Sequence, residues 1–201
     1  MADSGQEREQ FTSESFIESA GAVLFRLSSQ EICIIHSRKS AEGLLPKGRR
    51  RCGESRRDAT VREVGEETGY ASRLLPLTMA TRTPPATENE PTDDKAHVLN
   101  DICEPFAFQL RRLDESNVKL IWWFVAAINE DVPLQERSAA DQERYDVAFY
   151  SYTDVLDKLT FQMDRDMVKK AIELVTSTYA PSRDASSIEP GPPAAGGWAM
   201  S

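Results

Sequence analysis

Hydrophobic and polar positions alternate over several short segments of the chain, which predicts a β-sheet joined by few helices. Residues 20–27 and 31–38 are rich in Val, Ile and Phe and are separated by a polar turn, so we expect a β-hairpin there. Similar runs predict further strands over 74–80, 105–113, 119–129 and 149–152. A helical repeat predicts helices over 56–68, 153–159 and 164–179. We therefore expect an α/β fold in which a mixed β-sheet packs against helices.

The length of 201 residues is sufficient for one domain with a substantial core and short for two. Residues 1–15 are polar and acidic, and residues 181–201 are rich in Ser, Pro, Gly and Ala, so we expect both to be disordered tails. The predicted domain therefore spans residues 16–180. Within it, the acidic, proline-bearing stretch 83–104 is long for a routine connection, and we expect a loop that acts as a lid or specificity element.

The helix predicted over 56–68 carries unusual chemistry for a structural helix. Ser55 is suited to cap its start and Gly69 to end it. At about 100° per residue, Glu63, Glu66 and Glu67 fall on one face. Three carboxylates at one point repel each other, and a hard divalent cation such as Mg²⁺ or Mn²⁺ would relieve that repulsion. The helix therefore predicts a metal site suited to phosphate chemistry.

The stretch from Gly48 to Tyr70 resembles the Nudix box, G-x5-E-x7-R-E-U-x-E-E-x-G-U, in which U is an apolar or aromatic residue. Every fixed position of that motif is filled, by Gly48, Glu54, Arg62, Glu63, Val64, Glu66, Glu67, Gly69 and Tyr70. The resemblance implies the Nudix α/β/α sandwich and a pyrophosphohydrolase that cleaves phosphoanhydride bonds with Mg²⁺ or Mn²⁺.

The resemblance also implies roles for individual residues. Glu66 and Glu67 match metal ligands, and Glu63 matches a further ligand or the base that orients water. Arg62 matches the residue that holds Glu63, and the carbonyl of Lys47 matches another metal ligand. We expect Arg62, Glu63, Glu66 and Glu67 to form the catalytic group.

Nudix enzymes commonly take one more carboxylate from a loop late in the domain. The polar stretch 130–145 and the residue that follows it supply four candidates, which are Glu136, Asp141, Glu143 and Asp146. Of these we select Glu143 as the additional metal ligand.

Charge is unevenly distributed along the chain. The formal net charge is −9, which argues against a general nucleic-acid or membrane binder, since both need a basic surface. Yet nine of the 24 Lys and Arg residues lie between Arg38 and Arg62. We expect phosphate binding by those nearest the metal loop, namely Arg38, Lys47, Arg49, Arg50 and Arg51.

The Leu-Pro-Lys-Gly sequence that ends at Gly48 resembles that of diphosphoinositol polyphosphate and diadenosine polyphosphate hydrolases. These dense polyanions are the substrates that we expect. An ADP-ribose or other nucleoside diphosphate derivative is an alternative, as is a non-enzymatic sensor that binds such a ligand. An mRNA decapping enzyme would need an extended basic path, whereas the cations here are clustered.

The remaining features bear on location. Three cysteines without metal spacing suit a reducing compartment. No apolar run is long enough to span a bilayer, and the first residues lack the features of a signal peptide. We expect a cytoplasmic protein that can also be nuclear, whose partner is a phosphorylated small molecule.

Overall fold

Two long strands from distant parts of the chain form the centre of the sheet. The computed structural model describes residues 8–84 and 95–180. Strand β1 (Phe16–Arg26) runs parallel to β9 (Val118–Ile128), with cross-strand partners from Phe16 and Val118 to Phe25 and Ala127. Both strands are rich in β-branched and aromatic residues, which favour a pleated and buried surface.

The other strands add to this pair in antiparallel pairings. In the described chain, eight strands form one sheet in the order β10-β2-β1-β9-β5, with β3 on β2, β4 on β1 and β8 on β9, and β6 pairs separately with β7. These strands are β2 (Glu31–Ser37), β3 (Gly43–Leu44), β4 (Lys47–Arg49), β5 (Ser72–Leu74), β6 (Leu77–Thr81), β7 (His97–Ile102), β8 (Ala107–Arg112) and β10 (Tyr145–Ser151). The helices are α1 (Arg56–Thr68), α2 (Ala139–Arg144), α3 (Val155–Lys158) and α4 (Gln162–Tyr179).

Helices cover both faces of the sheet. On one, called the α1 face, Val64 of α1 packs with Ala22 and Leu24 in a small buried cluster. On the other, called the α4 face, a larger core joins Trp123 of β9 to Val168 of α4. Alternate residues of a strand point to opposite faces, so each strand contributes to both cores. The predicted α/β sandwich with a mixed sheet is confirmed.

Two predicted segments differ from the structure. The strand predicted over 74–80 is divided into β5 and β6 at Pro76, which has no N–H to donate to a ladder. The predicted loop 83–104 contains strand β7, whose pairing with β6 a linear sequence does not reveal, so the loop prediction is wrong for residues 97–102. Residues 85–94 lie outside the described residues, as do residues 1–7 and 181–201 of the two predicted tails. Within the described ranges, no helix is long and apolar enough to cross a membrane.

Candidate active site

Helix α1 presents the box carboxylates because both of its ends are fixed. Ser55 Oγ accepts a hydrogen bond from the backbone N–H of Asp58, and Gly69 ends the helix with φ = 79°, a left-handed conformation that favours glycine. Val64 is fully buried and anchors the helix on the sheet. The side chains of Glu63 and Glu66 therefore point toward the loop that precedes the helix.

Arg62 is the centre of the ion-pair network at this helix. Its Nε and Nη2 donate to the two carboxylate oxygens of Glu54 at 2.7 and 2.9 Å, and its Nη1 donates to Glu63 at 2.7 Å and to Glu66 at 2.9 Å. Nη2 also donates to the carbonyl of Arg49 at 3.0 Å, which ties the helix to the loop. The bidentate contact with Arg62 lowers the pKa of Glu54 to about 2. The expected contact between Arg62 and Glu63 is thus present in the structure.

Glu67 is the most buried of the box carboxylates, with 8% of its surface exposed. Its Oε2 accepts a hydrogen bond of 2.7 Å from the backbone N–H of Lys47. The pKa of Glu67 is raised to about 7. Burial is the main cause and the charges of Glu63 and Asp141 add to it, while the charge and N–H of Lys47 oppose the rise. This carboxylate therefore lies where a cation would be strongly favoured.

The residues around this point fit a hard divalent cation. The loop backbone at Gly48 packs so closely on Glu63 that an added Cβ would lie 1.7 Å from Glu63 Oε2. Carboxylate oxygens of Glu63, Glu66 and Glu67 and the backbone of Lys47 are the hard oxygen donors that Mg²⁺ and Mn²⁺ prefer. In the structure, Arg62 contacts both Glu63 and Glu66. In the described part of the chain, no group of three or more acidic, His or Cys side chains is already arranged around a common point where a metal ion would bind.

One late carboxylate, Asp141, is close enough to Glu67 to influence its pKa, and the selection of Glu143 from the sequence stays a prediction. Asp141 lies in the first turn of α2, whose start is capped by Ser138, and its charge raises the pKa of Glu67. Glu143 is exposed on the same helix, two residues further on. Because α2 is a short helix that the sequence analysis did not predict, the orientations of its acids could not be anticipated.

Three of the five cations expected to bind phosphate have carboxylate partners within the protein. Arg38 pairs with Asp146 at 2.6 Å, Arg50 pairs with Glu18 at 2.7 Å, and Arg51 pairs with Glu66 at 3.0 Å. Arg50 Nη1 also donates to the carbonyl of Glu54 at 2.7 Å.

The remaining two expected cations, Lys47 and Arg49, meet further cations on the α4 face. Cross-strand pairing places Arg49 opposite Ser19 and Lys47 opposite Gly21, and Lys119 of β9 pairs with Arg111 of β8. Burial and, to a smaller extent, the charges of Lys47, Arg111 and Arg49 together lower the pKa of Lys119 to about 8. We call the four residues Lys47, Arg49, Arg111 and Lys119 the sheet cation cluster.

A glycine allows this cluster to form. A Cβ at Gly21 would lie 2.4 Å from the Cβ of Lys47 and 2.5 Å from the carbonyl of Pro46, so another residue in β1 would displace β4. Neither Arg111 nor Lys119 was predicted from the sequence to belong to the site. The alternation in β9 puts Lys119 on the same face as Trp123, but a sequence does not show that β4 and β8 lie nearby.

Comparisons with known proteins are consistent with this architecture. A family model for the NUDIX domain matches residues 16–171. Among solved structures, a hydrolase of the NUDIX family from Clostridium perfringens has a TM-score of 0.54 and 16% identity, over 82% of this chain and 99% of that one. A NUDIX hydrolase from Nitrosomonas europaea has a TM-score of 0.50 and 15% identity, over 79% of this chain and 90% of that one. At these identities, the likeness is one of fold. Among curated proteins, no match was found.

Proposed function

Because the chain belongs to the NUDIX domain family and is a pyrophosphohydrolase enzyme, we propose that it cleaves a phosphoanhydride bond in a phosphate-rich small molecule with the help of Mg²⁺ or Mn²⁺. We assign this activity to a domain of residues 16–180. The observation that carries the proposal is the position of Glu67, a buried carboxylate held by the N–H of Lys47 beside Glu63 and Asp141. A structural helix gains nothing from that concentration of negative charge.

In this proposal, the box residues divide the work between binding metal and orienting water. Glu66 and Glu67, with the carbonyl of Lys47, would hold the cation, and Asp141 replaces Glu143 as the carboxylate from α2. When bound, a divalent cation stabilises charge on phosphoryl oxygens and makes water a better nucleophile. Glu63 orients the water or accepts its proton, and Arg62 keeps Glu63 in position by the 2.7 Å hydrogen bond.

The sheet cation cluster supplies the charges that bind the phosphates. Lys47 connects the box carboxylates to the sheet cation cluster. Its backbone N–H donates a hydrogen bond to Glu67, and the charge of its side chain lowers the pKa of Lys119. Arg38, Arg50 and Arg51 are assigned to holding the fold, since each has a carboxylate partner. A cluster of four cations suits a dense polyanion, and diadenosine polyphosphates and diphosphoinositol polyphosphates are the substrates that we propose.

The test is product formation from a panel of substrates in the presence of Mg²⁺ or Mn²⁺, with nucleotide products separated by chromatography and inorganic phosphate measured for the diphosphoinositol polyphosphate. The panel contains diadenosine polyphosphate, diphosphoinositol polyphosphate, ADP-ribose and capped RNA. We expect turnover of at least one of the first two, and a loss of about a hundredfold or more in kcat for Glu67→Gln, which keeps the shape of the side chain and removes its charge.

Glu143→Gln is the matched control, because it makes the same chemical change on the exposed side of α2. It should keep normal turnover, whereas Asp141→Asn should not. Normal turnover by Glu67→Gln would refute the metal assignment. A wild-type protein that cleaved nothing in the panel would refute the proposed substrates.

A further inference from the structure

Strand β8 forms an open edge of the large sheet. It pairs with β9 on one side, and among the described residues no backbone hydrogen bond reaches its other side. Proteins often protect such an edge with a proline or a bulge, because its N–H and C=O groups can pair with another strand. Strand β8 contains no proline, and its pairing with β9 is regular over all six residues. Its backbone is therefore suited to accept a further strand.

Large apolar side chains are exposed on both sides of this edge. On the α1 face, Phe108 and Leu110 are 49% and 41% exposed, and the ring of Phe108 lies 4.7 Å from that of Trp122 between centroids. On the α4 face, Met163 is 57% exposed and its Sδ accepts a weak hydrogen bond of 3.8 Å from Gln109. Exposed apolar side chains beside an open strand edge favour association with another strand.

A second copy of β8 fits this edge, because the strand is complementary to itself when the two copies run antiparallel. A two-fold axis perpendicular to the sheet keeps directly opposite residues on the same face, so residues of equal parity pair. If Gln109 pairs with Gln109 of the second copy, Phe108 of each copy lies opposite Leu110 of the other. Two apolar cross-strand pairs then form on the α1 face, and such pairs stabilise sheets.

Charge and backbone chemistry favour this register over its neighbours. Centring the pairing on Arg111 would place the two Arg111 side chains directly opposite each other, and centring it on Leu110 would leave them about 7–8 Å apart on a diagonal. With Gln109 at the centre, the two arginines are four residues apart along the strands, or about 13 Å. Centring the pairing on Phe108 would bring in Pro105, which has no N–H to donate.

We propose that the protein forms a homodimer in which β8 pairs antiparallel with β8 of a second copy, so that the two sheets become continuous. Gln109 lies at the two-fold axis, and Phe108 and Leu110 supply the apolar contacts. Six residues of strand edge make a small interface, so the dissociation constant is in the micromolar range. This inference goes beyond the proposed hydrolase activity and does not depend on it.

The first test is the mass of the full-length protein in solution, measured by sedimentation equilibrium at about 100 μM. We expect a mass that approaches twice the 22.5 kDa of one chain. Leu110→Glu places a charge among the apolar contacts and should weaken the dimer by about tenfold or more. Leu134→Glu is the matched control, because Leu134 is 62% exposed and lies near Gly69 at the end of α1, and it should dimerise like the wild type.

Disulfide formation tests the register. Cys52→Ser and Cys103→Ser first remove the two cysteines that are not buried. In that background, a mixture of Phe108→Cys and Leu110→Cys proteins should form a covalent heterodimer, identified by its mass, because directly opposite Cα atoms are within the reach of a disulfide. Each protein oxidised alone should crosslink about fivefold more slowly or less, since identical positions lie on a diagonal of about 7–8 Å.

A mixture of the Phe108→Cys protein with Leu134→Cys is the control, and it should not crosslink above background. Three results would each overturn the inference: a monomeric wild type at the stated concentration, a Leu110→Glu protein that dimerises as tightly as the wild type, or equal crosslinking in the two mixtures. The crosslinking introduces no charge, so it still tests the interface if Leu110→Glu fails to fold.

None of these measurements needs a substrate or a metal ion. A monomer that hydrolysed the panel of phosphoanhydrides would refute the dimer and leave the proposed function in place. A dimer with the expected crosslink that cleaved nothing would support the interface and refute the proposed substrates.

Discussion

Two groups of positive side chains lie close to strand β4, and they differ in their partners. On the box side, Arg50, Arg51 and Arg62 each pair with a carboxylate, so their charges are largely neutralised within the protein. In the sheet cation cluster, by contrast, Lys47, Arg49, Arg111 and Lys119 have no ion pair among the described residues. Burial lowers the pKa of Lys119, and repulsion by the other cations of that cluster adds to the shift.

Cations that are close in sequence therefore need not share a function. The arginines of the loop stabilise its conformation, whereas the cluster combines strands separated by about 70 residues in sequence. Mutual repulsion of these partly exposed cations destabilises the free protein, and a bound polyanion removes that cost. We therefore expect substitutions in the sheet cation cluster to lower substrate affinity, and substitutions of the loop arginines to lower stability.

The largest effect within this comparison should come from Lys119. Lys119→Met keeps the length of the side chain and removes its charge, and it should raise KM for a polyphosphate substrate by about tenfold with little change in kcat. Steady-state kinetics checks this expectation. Lys119→Arg should restore the affinity, and Lys169→Ala, on the exposed side of α4, should have no effect. An unchanged KM in Lys119→Met would remove Lys119 from the phosphate site.

The sequence predicted the parts of the site that depend on local structure. Helix α1 is defined by local signals, which are the cap residues Ser55 and Gly69 and the helical repeat between them. The grouping of Glu63, Glu66 and Glu67 on this helix therefore follows from their spacing alone. The α/β class also followed, because the strands alternate clearly in polarity.

The parts that were missed depend on which strands are neighbours. Lys119 and Arg111 meet through the pairing of β8 with β9, and the charge of Lys47 acts on Lys119 from β4. The partners of Arg38 and Arg50, which are Asp146 and Glu18, likewise come from distant segments. No local pattern encodes these contacts. The sequence therefore does not show that several of the arginines predicted to bind phosphate also pair with acids.

A pH dependence should accompany the effect of Lys119. The pKa of Lys119 is lowered to about 8, so its amine loses its charge as the pH rises through that value. KM for a polyphosphate should therefore rise above about pH 8, and binding of the substrate should move this rise to somewhat higher pH. The rise should be absent in Lys119→Arg, whose guanidinium stays charged. A KM profile of the same shape in that variant would assign the pH dependence to another group.

The smallest effect should come from the box side, at Arg50. Its Nε donates to Glu18 at 2.7 Å, and Glu18 also accepts hydrogen bonds from Arg56 at 2.6 Å and from Trp122 Nε1 at 2.8 Å. Because those two donors remain, Arg50→Ala should lower the free energy of unfolding by only about 1 kcal/mol. Urea denaturation measures this change, and Arg57→Ala, which breaks an exposed pair with Glu104, should cost less than about 0.5 kcal/mol. The KM of Arg50→Ala should equal that of the wild type, and an increase matching that of Lys119→Met would mean that the loop arginines also bind the phosphates.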